Sequence, residues 1–465
     1  MAIDLQLPRV LTDLPGPRSR KLLADRDRLA YGPIRDPHGE VPFVLAAKRD
    51  WIMEDVDGNS WVDHVAGWGA TPLGATPEPV IAAMIEAQRR YGMEISNYVP
   101  NLPMLQLAER LIELAPSPLT RFAPSMSGTL VVEGGIKLAR EATGRPMILG
   151  FLGQYHGEST YLTAAQSSDL AEVTSGSAQY VPGLVFAPYP NAYRSPFARG
   201  PGPHDDTLVL DYVEQWLLVH QVEPEQIAGV LIEPILTEGG IVAPSAAFWQ
   251  RLTGLCRRFG WLLILDEVQT GMGRCGTLFG AELWDLHPDL LLLGKGFAGG
   301  GQPIAATLGS EAVMADTSVV SGGTFAWVPA ACAGALASLE VIAGGEVLAN
   351  VARLAAIAEQ ELGQLVDRHQ QVGDVRVVGA MVGIEFVNDR DAQTPAPAFH
   401  HAVHQALLRR GVLGITQWGK WIYRLQPALN MPPELFRWSC HQVQEAIAEV
   451  AADPPAEFDV LERPA

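Results

Sequence analysis

Apolar and polar residues alternate with a period of two in WIMEDVDGNSWVDHVAG, from Trp51 to Gly67, on either side of Asp57-Gly58-Asn59. That pattern predicts a β-hairpin whose glycine takes a positive φ. From about residue 78 the period lengthens, and EPVIAAMIEAQRR and LPMLQLAERLIELA predict two amphipathic helices. Six short apolar runs follow, PMILGFLG, GLVFAPY, IAGVLIEPIL, GWLLILDEV, DLLLLGKG and IAATLGS, with helix-length segments between them. Continuous apolar runs mark strands buried on both faces, so the middle of the chain predicts a doubly wound α/β domain with a mostly parallel sheet and helices on both faces. An alanine-rich helix, PAACAGALASLEVIAGG, closes that domain. Beyond it, VGDVRVVGAMVGIEFVND and KWIYRLQPALN predict antiparallel strands among helices. The expected organisation is an N-terminal arm and small β element over residues 1–75, a large α/β domain over 76–345 and a small α+β domain over 346–465, the first packing with the last. Residues 1 to about 40, polar and arginine-rich, read as an arm lying along the surface.

Composition narrows the class. A chain of 465 residues that is 48% hydrophobic can bury a core large enough for two domains. A net charge of −19 argues against a nucleic-acid binder, which needs a basic face for phosphate, and a small-molecule enzyme fits better. Cys256, Cys275, Cys332 and Cys440 lack paired spacing, as a reducing compartment permits. The first residues carry Asp4 and proline-broken apolar pieces instead of a signal-peptide core, and no apolar run approaches the roughly 20 residues of a membrane span. The expectation is a cytoplasmic enzyme.

Only five lysines occur, Lys21, Lys48, Lys137, Lys295 and Lys420, and Lys295 stands between a four-leucine run and a run of glycines. An ammonium at the end of a buried strand is costly unless paired or neutralised, so Lys295 reads as wanted for its amine. Two chemistries compete. Gly294 to Gly299 matches GxGxxG after a strand, the dinucleotide pattern, but late in the sheet and with a lysine in the crowded second position. Alternatively, the amine forms a Schiff base with an aldehyde cofactor such as pyridoxal phosphate. That cofactor also demands a carboxylate for its pyridinium nitrogen, a ring-stacking group and a phosphate cradle. Asp266, at the end of the preceding apolar strand, is the candidate carboxylate, since open α/β sheets bind ligands at strand carboxyl ends. Ser127-Gly128-Thr129 opens a helix ending near Arg140, and a helix N-terminus offers amides to an anion. Tyr155 in GQYHGES is the stacking candidate. Each has an ordinary alternative taken alone: a loop cap, an N-cap and a core aromatic.

Together, SGT before IKLAREATGR, then YHG, EPI with EGG, DEVQTGMGRCG, LGKGFAGG and GGTF resemble the class III aminotransferases, a pyridoxal-phosphate family of fold type I. The resemblance runs from about Trp51 to the C-terminal helix. It implies a transaminase moving an amino group between an amine or amino acid donor and a keto acid or aldehyde acceptor, of the omega-amine or omega-amino acid type. By that resemblance Lys295 carries the Schiff base and moves the proton at the substrate Cα, and Asp266 pairs with the pyridinium nitrogen. Gln269 contacts the ring hydroxyl side, Val268 packs on one ring face, and Tyr155 stacks on the other with His156 beside it. Gly128 and Thr129 hold the phosphate. Thr324 of SGGTF reaches the phosphate bound to the other subunit, which implies a homodimer with shared sites.

Substrate residues follow in the same way. Arg424 of IYRLQPALN matches an arginine that grips an α-carboxylate, and Glu238 of ILTEGG matches the glutamate that covers it when the substrate has none. An exposed strand arginine and a loop glutamate are the plain alternative. Trp68 with Trp418 and Trp421 suggests an aromatic pocket, and Gln417 stands where many amine transaminases carry a mobile arginine. Three departures touch fine geometry: Leu130-Val131 for the usual Glu-Ala, TFAWVP with Trp327 for TFSGNP, and GATPEP for GHxHP. FAPYPNAYRSPF and GWGA are similar to aminocaprolactam-racemase and isoleucine-epimerase relatives, so a racemase or epimerase on the same scaffold is the alternative function. Arg424 favours transamination, because a keto-acid half-reaction needs a carboxylate anchor. His400 and His404 in HHAVHQ lack a third ligand and read as a solvated helix face, with no metal site expected.

Overall fold

The structure of the protein, a computed structural model, describes residues 7–31, 39–159, 161–162, 182–198, 203–319, 322–416 and 420–457. The chain divides into two compact units, Met1–Thr76 with Ala349–Ala465, and Pro77–Leu348. In the first, β1 (Leu45–Arg49), β2 (Ile52–Asp55) and β3 (Ser60–Asp63) pair antiparallel in sequence order, with the hairpin of β2 and β3 turning at Gly58. The N-terminal stretch is more than an arm, for Pro17–Leu29 is helical. Its cap comes from a distance: the Asp57 carboxylate accepts the N–H groups of Arg18 and Ser19 at 2.8 and 2.7 Å. No side chain beside the helix supplies that cap, so no local signal announces it.

The second unit is built on seven strands. They are β4 (Leu119–Ser125), β5 (Met147–Leu152), β6 (Leu184–Pro188), β7 (Ile227–Ile232), β8 (Leu262–Asp266), β9 (Leu290–Leu293) and β10 (Ala305–Ser310), in the order β4-β10-β9-β8-β7-β5-β6. β5 to β9 run parallel, and β10 is antiparallel to both β9 and β4. The run IAATLGS, read beside parallel strands, thus reverses direction. The stretch from Leu293 to Ala305 holds one short 3₁₀ turn, Lys295–Ala298, and is too short for the crossover helix a parallel return requires. β4 lies at the sheet edge and contains Pro124, which an edge strand tolerates.

Helix Gly128–Thr143 packs Val131, Ile136 and Ala139 against Ile264, Leu290 and Leu292. Leu290 to Leu293 are fully buried, and each contributes about 2 kcal/mol by leaving water. That anchoring offsets what the next residues cost, since Lys295 has a φ of 37° and a left-handed lysine costs roughly 1–2 kcal/mol.

The first unit is completed by β11 (Val372–Val378), β12 (Met381–Asp389), β13 (Thr394–Pro395), β14 (Val412–Leu413) and β15 (Ile422–Leu425). β12 lies between β11 and β15, antiparallel to both, and β14 adds to β3 in parallel. His400 and His404 do not lie on a solvated face. Both are buried on helix Pro397–Arg409, with His400 Nε2 2.9 Å from Thr416 Oγ1 and His404 Nε2 2.6 Å from the Glu40 carbonyl oxygen. Phe399, Val403, Ala406 and Leu407 are buried around the same helix, so the two rings face the interior. Burial holds His400 well below the usual histidine range. Among the described residues, no group of three or more His, Cys, Asp or Glu side chains could hold a metal ion.

Candidate functional site

Because β9, β8, β7 and β5 are parallel neighbours, their carboxyl ends open along one edge of the sheet. Lys295 follows β9, Asp266 ends β8, Glu233 follows β7, and Tyr155 and His156 follow β5. A single cleft is lined by all five, together with Gly128, Thr129, Gly157, Thr237, Val268 and Gln269. Strand order thus gathers residues spread over more than half of this unit's length.

Lys295 is half-buried, and its Nζ donates to Gln269 Oε1 at 2.5 Å. The Tyr155 ring centroid lies 5.8 Å from the same nitrogen. The residues of GxGxxG form a short 3₁₀ turn and no longer helix, so this turn lacks the helix N-terminus on which a dinucleotide pyrophosphate rests.

Asp266 is 3% exposed and placed by two contacts. Its Oδ1 accepts the Val268 N–H at 3.0 Å, and its Oδ2 lies 2.7 Å from His156 Nδ1. With Nδ1 held by a carboxylate, the imidazole keeps Nε2 as its second polar atom, and that atom is buried without a hydrogen-bond partner. The next carboxylate serves the fold instead: Glu267 accepts the N–H groups of Gly280 and Ala281 at 2.6 and 2.8 Å, and burial pushes its carboxyl up to about 7.

An open helix N-terminus, of the kind that can cradle an anion, lies where helix Gly128–Thr143 begins. Ser127 accepts the Leu130 N–H on Oγ and the Val131 N–H on its carbonyl, which leaves the amides of Gly128 and Thr129 at the open end of the helix. Two glycines keep this cradle clear. A Cβ on Gly128 would come within 3.1 Å of Val268 Cγ1, and one on Gly157, whose φ is +119°, would fall 2.6 Å from Thr129 Oγ1. A buried carboxylate, an amine, an aromatic ring and an open helix end are the set that pyridoxal phosphate requires, so the residues present fit that group.

The other expected residues are distributed as follows. Thr324 lies in an exposed turn of the second unit and does not line the cleft, while Glu238 is half-buried beside Thr237. Trp68 and Arg424 are brought together in the first unit, the guanidinium carbon 5.7 Å from the indole centroid, with Arg424 buried. Gln417 and Trp418 lie outside the described residues. Trp327, the unusual residue of TFAWVP, adopts a φ of 57°, stacks on Phe122 at 4.9 Å and donates Nε1–H to the Ala305 carbonyl at 2.7 Å. Those contacts offset the cost of a left-handed tryptophan.

Sequence reasoning assigned no role to three residues of the cleft: Gly157, Glu233 and Thr237. The first two lay in the quoted YHG and EPI, but only their long-range partners reveal what they hold. Glu233 Oε1 accepts the Tyr155 N–H at 3.0 Å, and burial raises its carboxyl above the usual range.

Comparison with known proteins shows what the chain is similar to. The family model described as aminotransferase class-III matches residues 35–447. The chain is 30% identical over 454 residues to an alanine/serine racemase of Pyrococcus horikoshii, spanning 96% of this chain and 94% of that one. It is 31% identical over 438 residues to a 4-aminobutyrate aminotransferase of Mycobacterium leprae, spanning 92% and 96%. Among solved structures, a PLP-bound amine transaminase from an uncultivated Pseudomonas species matches with a TM-score of 0.83 at 27% identity, over 90% of this chain and 98% of that one.

Proposed function

The chain belongs to the class III aminotransferases, pyridoxal-phosphate enzymes of fold type I, and we propose that its transamination is carried by Lys295 and Asp266 in the cleft of Pro77–Leu348. The observation behind this reading is the convergence of one amine and one buried carboxylate at the ends of adjacent parallel strands. Bound pyridoxal phosphate supplies an aldehyde that takes up amino groups and a pyridinium ring that accepts electron density from the substrate Cα. Lys295 Nζ would hold that aldehyde, and the same amine would be the base at the donor's Cα. Asp266 would hold a proton on the pyridinium nitrogen. Tyr155 and Val268 would pack against the ring, Gln269 sits beside Lys295, and Gly128 and Thr129 would bind the phosphate through amides and a hydroxyl. Arg424, its guanidinium carbon 5.7 Å from the Trp68 ring centroid, is suited to recognise a carboxylate, and Glu238 is the residue proposed to set the choice between donors with and without an α-carboxylate.

One experiment separates this from the racemase reading that the Pyrococcus relative supports. The holoenzyme is mixed with 1-phenylethylamine or 4-aminobutyrate and no acceptor, and the visible absorption of the bound cofactor is followed. Stoichiometric bleaching, reversed by a keto acid, is the expected result. Absorption that persists while alanine loses its optical purity would instead support a racemase.

We also propose a cytoplasmic homodimer. The four cysteines are free and buried, in keeping with a reducing compartment. Among the described residues, no single helix is long and apolar enough to cross a membrane. Between Met93 and Leu105, Tyr98 is 86% exposed, and Met93, Leu102 and Leu105 are each more than half exposed. A concentration of large apolar side chains at one surface marks an interface, and a second copy would cover it and bring its Thr324 towards this cleft. Light scattering is expected to give twice the chain mass. Leu102→Glu with Leu105→Glu is expected to halve it and to lower activity at least about tenfold, while an unchanged mass would place the interface elsewhere.

A further inference from the structure

Glu233 is buried just past β7, and both of its carboxylate oxygens are taken up by neighbours from two directions. Oε1 accepts the Tyr155 N–H at 3.0 Å. Oε2 accepts the Thr237 N–H at 3.1 Å and the Thr237 hydroxyl at 2.7 Å. Behind it, the Tyr189 hydroxyl donates to the Glu233 carbonyl at 2.9 Å, which fixes the backbone from which the carboxylate projects. Thr237 opens a tight loop. Leu236 and Val242 close that loop with two mutual bonds of 2.9 and 3.0 Å, and the Gly240 N–H turns back onto the Thr237 carbonyl at 3.1 Å. Glu238 is carried inside it.

A cap for one loop would need a single oxygen. Here one carboxylate joins the segment that bears the aromatic ring of the cleft to the loop that bears Glu238, and Tyr155, Glu233 and Thr237 all line the same cleft. Bonds to a carboxylate are the stronger kind, and in a buried site they are not replaced by water when lost.

We propose that Glu233 is a positioning residue that couples the Tyr155 shelf to the Glu238 loop, so that cofactor retention and the choice between amines and α-amino acids are set together. This rests on the roles proposed above for Tyr155 and Glu238. The coupling acts through geometry alone, since Glu233 need not touch the substrate.

The test uses holoenzyme carrying Glu233→Ala or the near-isosteric Glu233→Gln, with two readouts. The first is the rate at which pyridoxal phosphate leaves on dilution, followed by absorbance without substrate. The second is the ratio of kcat/KM for 1-phenylethylamine to that for alanine. Glu233→Ala is expected to release cofactor at least about tenfold faster and to shift the ratio at least about fivefold. Glu233→Gln, which keeps one acceptor oxygen, is expected to fall between, and it decides alone if the alanine variant does not fold. A lowered melting temperature with both readouts within about twofold of wild type would make Glu233 a structural cap and overturn the proposal. Movement of one readout without the other would equally overturn it. Lys295→Ala in the same assays guards the underlying reading: wild-type turnover there would mean the site itself is misassigned, and the proposal would fall with it.

Discussion

Lys295→Ala is expected to fold as the wild type does and to transaminate at least about 10⁴-fold more slowly. The fold is expected to survive because the leucines that anchor β9 precede the lysine, whose half-buried side chain extends into the cleft beside Gln269 and is not part of the strand's apolar core. Activity is not expected to survive, because in the proposed role one nitrogen would serve both as the tether for the aldehyde and as the base at the substrate Cα. Removing both functions at one atom leaves only binding. Lys295→Arg separates charge from chemistry: the guanidinium keeps the positive charge but is neither a nucleophile nor a base near neutral pH. It is expected to be as inactive as the alanine variant. Added methylamine is then expected to restore a measurable fraction of the rate to Lys295→Ala, where the side-chain volume is empty, and none to Lys295→Arg. Single-turnover rates with donor alone, beside melting temperatures, check the set. Retention of more than about 1% of the wild-type rate in either variant would remove the amine from the chemistry.

The reason Lys295 and Asp266 could be found in the sequence is that strands buried on both faces write themselves as apolar runs, and each residue marks the end of such a run. The helix start at Gly128 was legible for a related reason, since it carries its own cap in Ser127. Other features depend on partners far along the chain. Helix Pro17–Leu29 is capped by Asp57, the Tyr155 backbone is held by Glu233 at a separation of 78 residues, and His404 is buried against the Glu40 carbonyl. β4 escaped because LTRFAPS interrupts its apolar positions with Thr120, Arg121 and Pro124 and shows neither an apolar run nor a clean alternation. No local period reports contacts of that kind. Trp327 shows the middle case: its position was conspicuous in TFAWVP, while its left-handed backbone and its stack on Phe122 belong to packing.

Asp266→Asn is expected to lower turnover about 10³-fold while leaving the cofactor attached to Lys295. The substitution keeps shape and volume, and the amide oxygen can still accept the Val268 N–H now bound at 3.0 Å. What it removes is negative charge at a site 3% exposed, where water cannot compensate. Without that charge the carboxylate proposed to hold a proton on the ring nitrogen is gone, and electron density from the substrate Cα would have a poorer destination. Asp266→Ala is expected to lose the same activity and also stability. The His156 Nδ1 now 2.7 Å from the carboxylate would lose its acceptor, and with Nε2 already unpartnered the buried ring would cost roughly 1–3 kcal/mol more. The two variants thus divide the roles of one side chain, the asparagine reporting charge and the alanine reporting charge with packing. A steady-state rate for Asp266→Asn within about tenfold of wild type would reduce Asp266 to a support for Val268 and His156, and the electron sink would have to be sought elsewhere in the cleft.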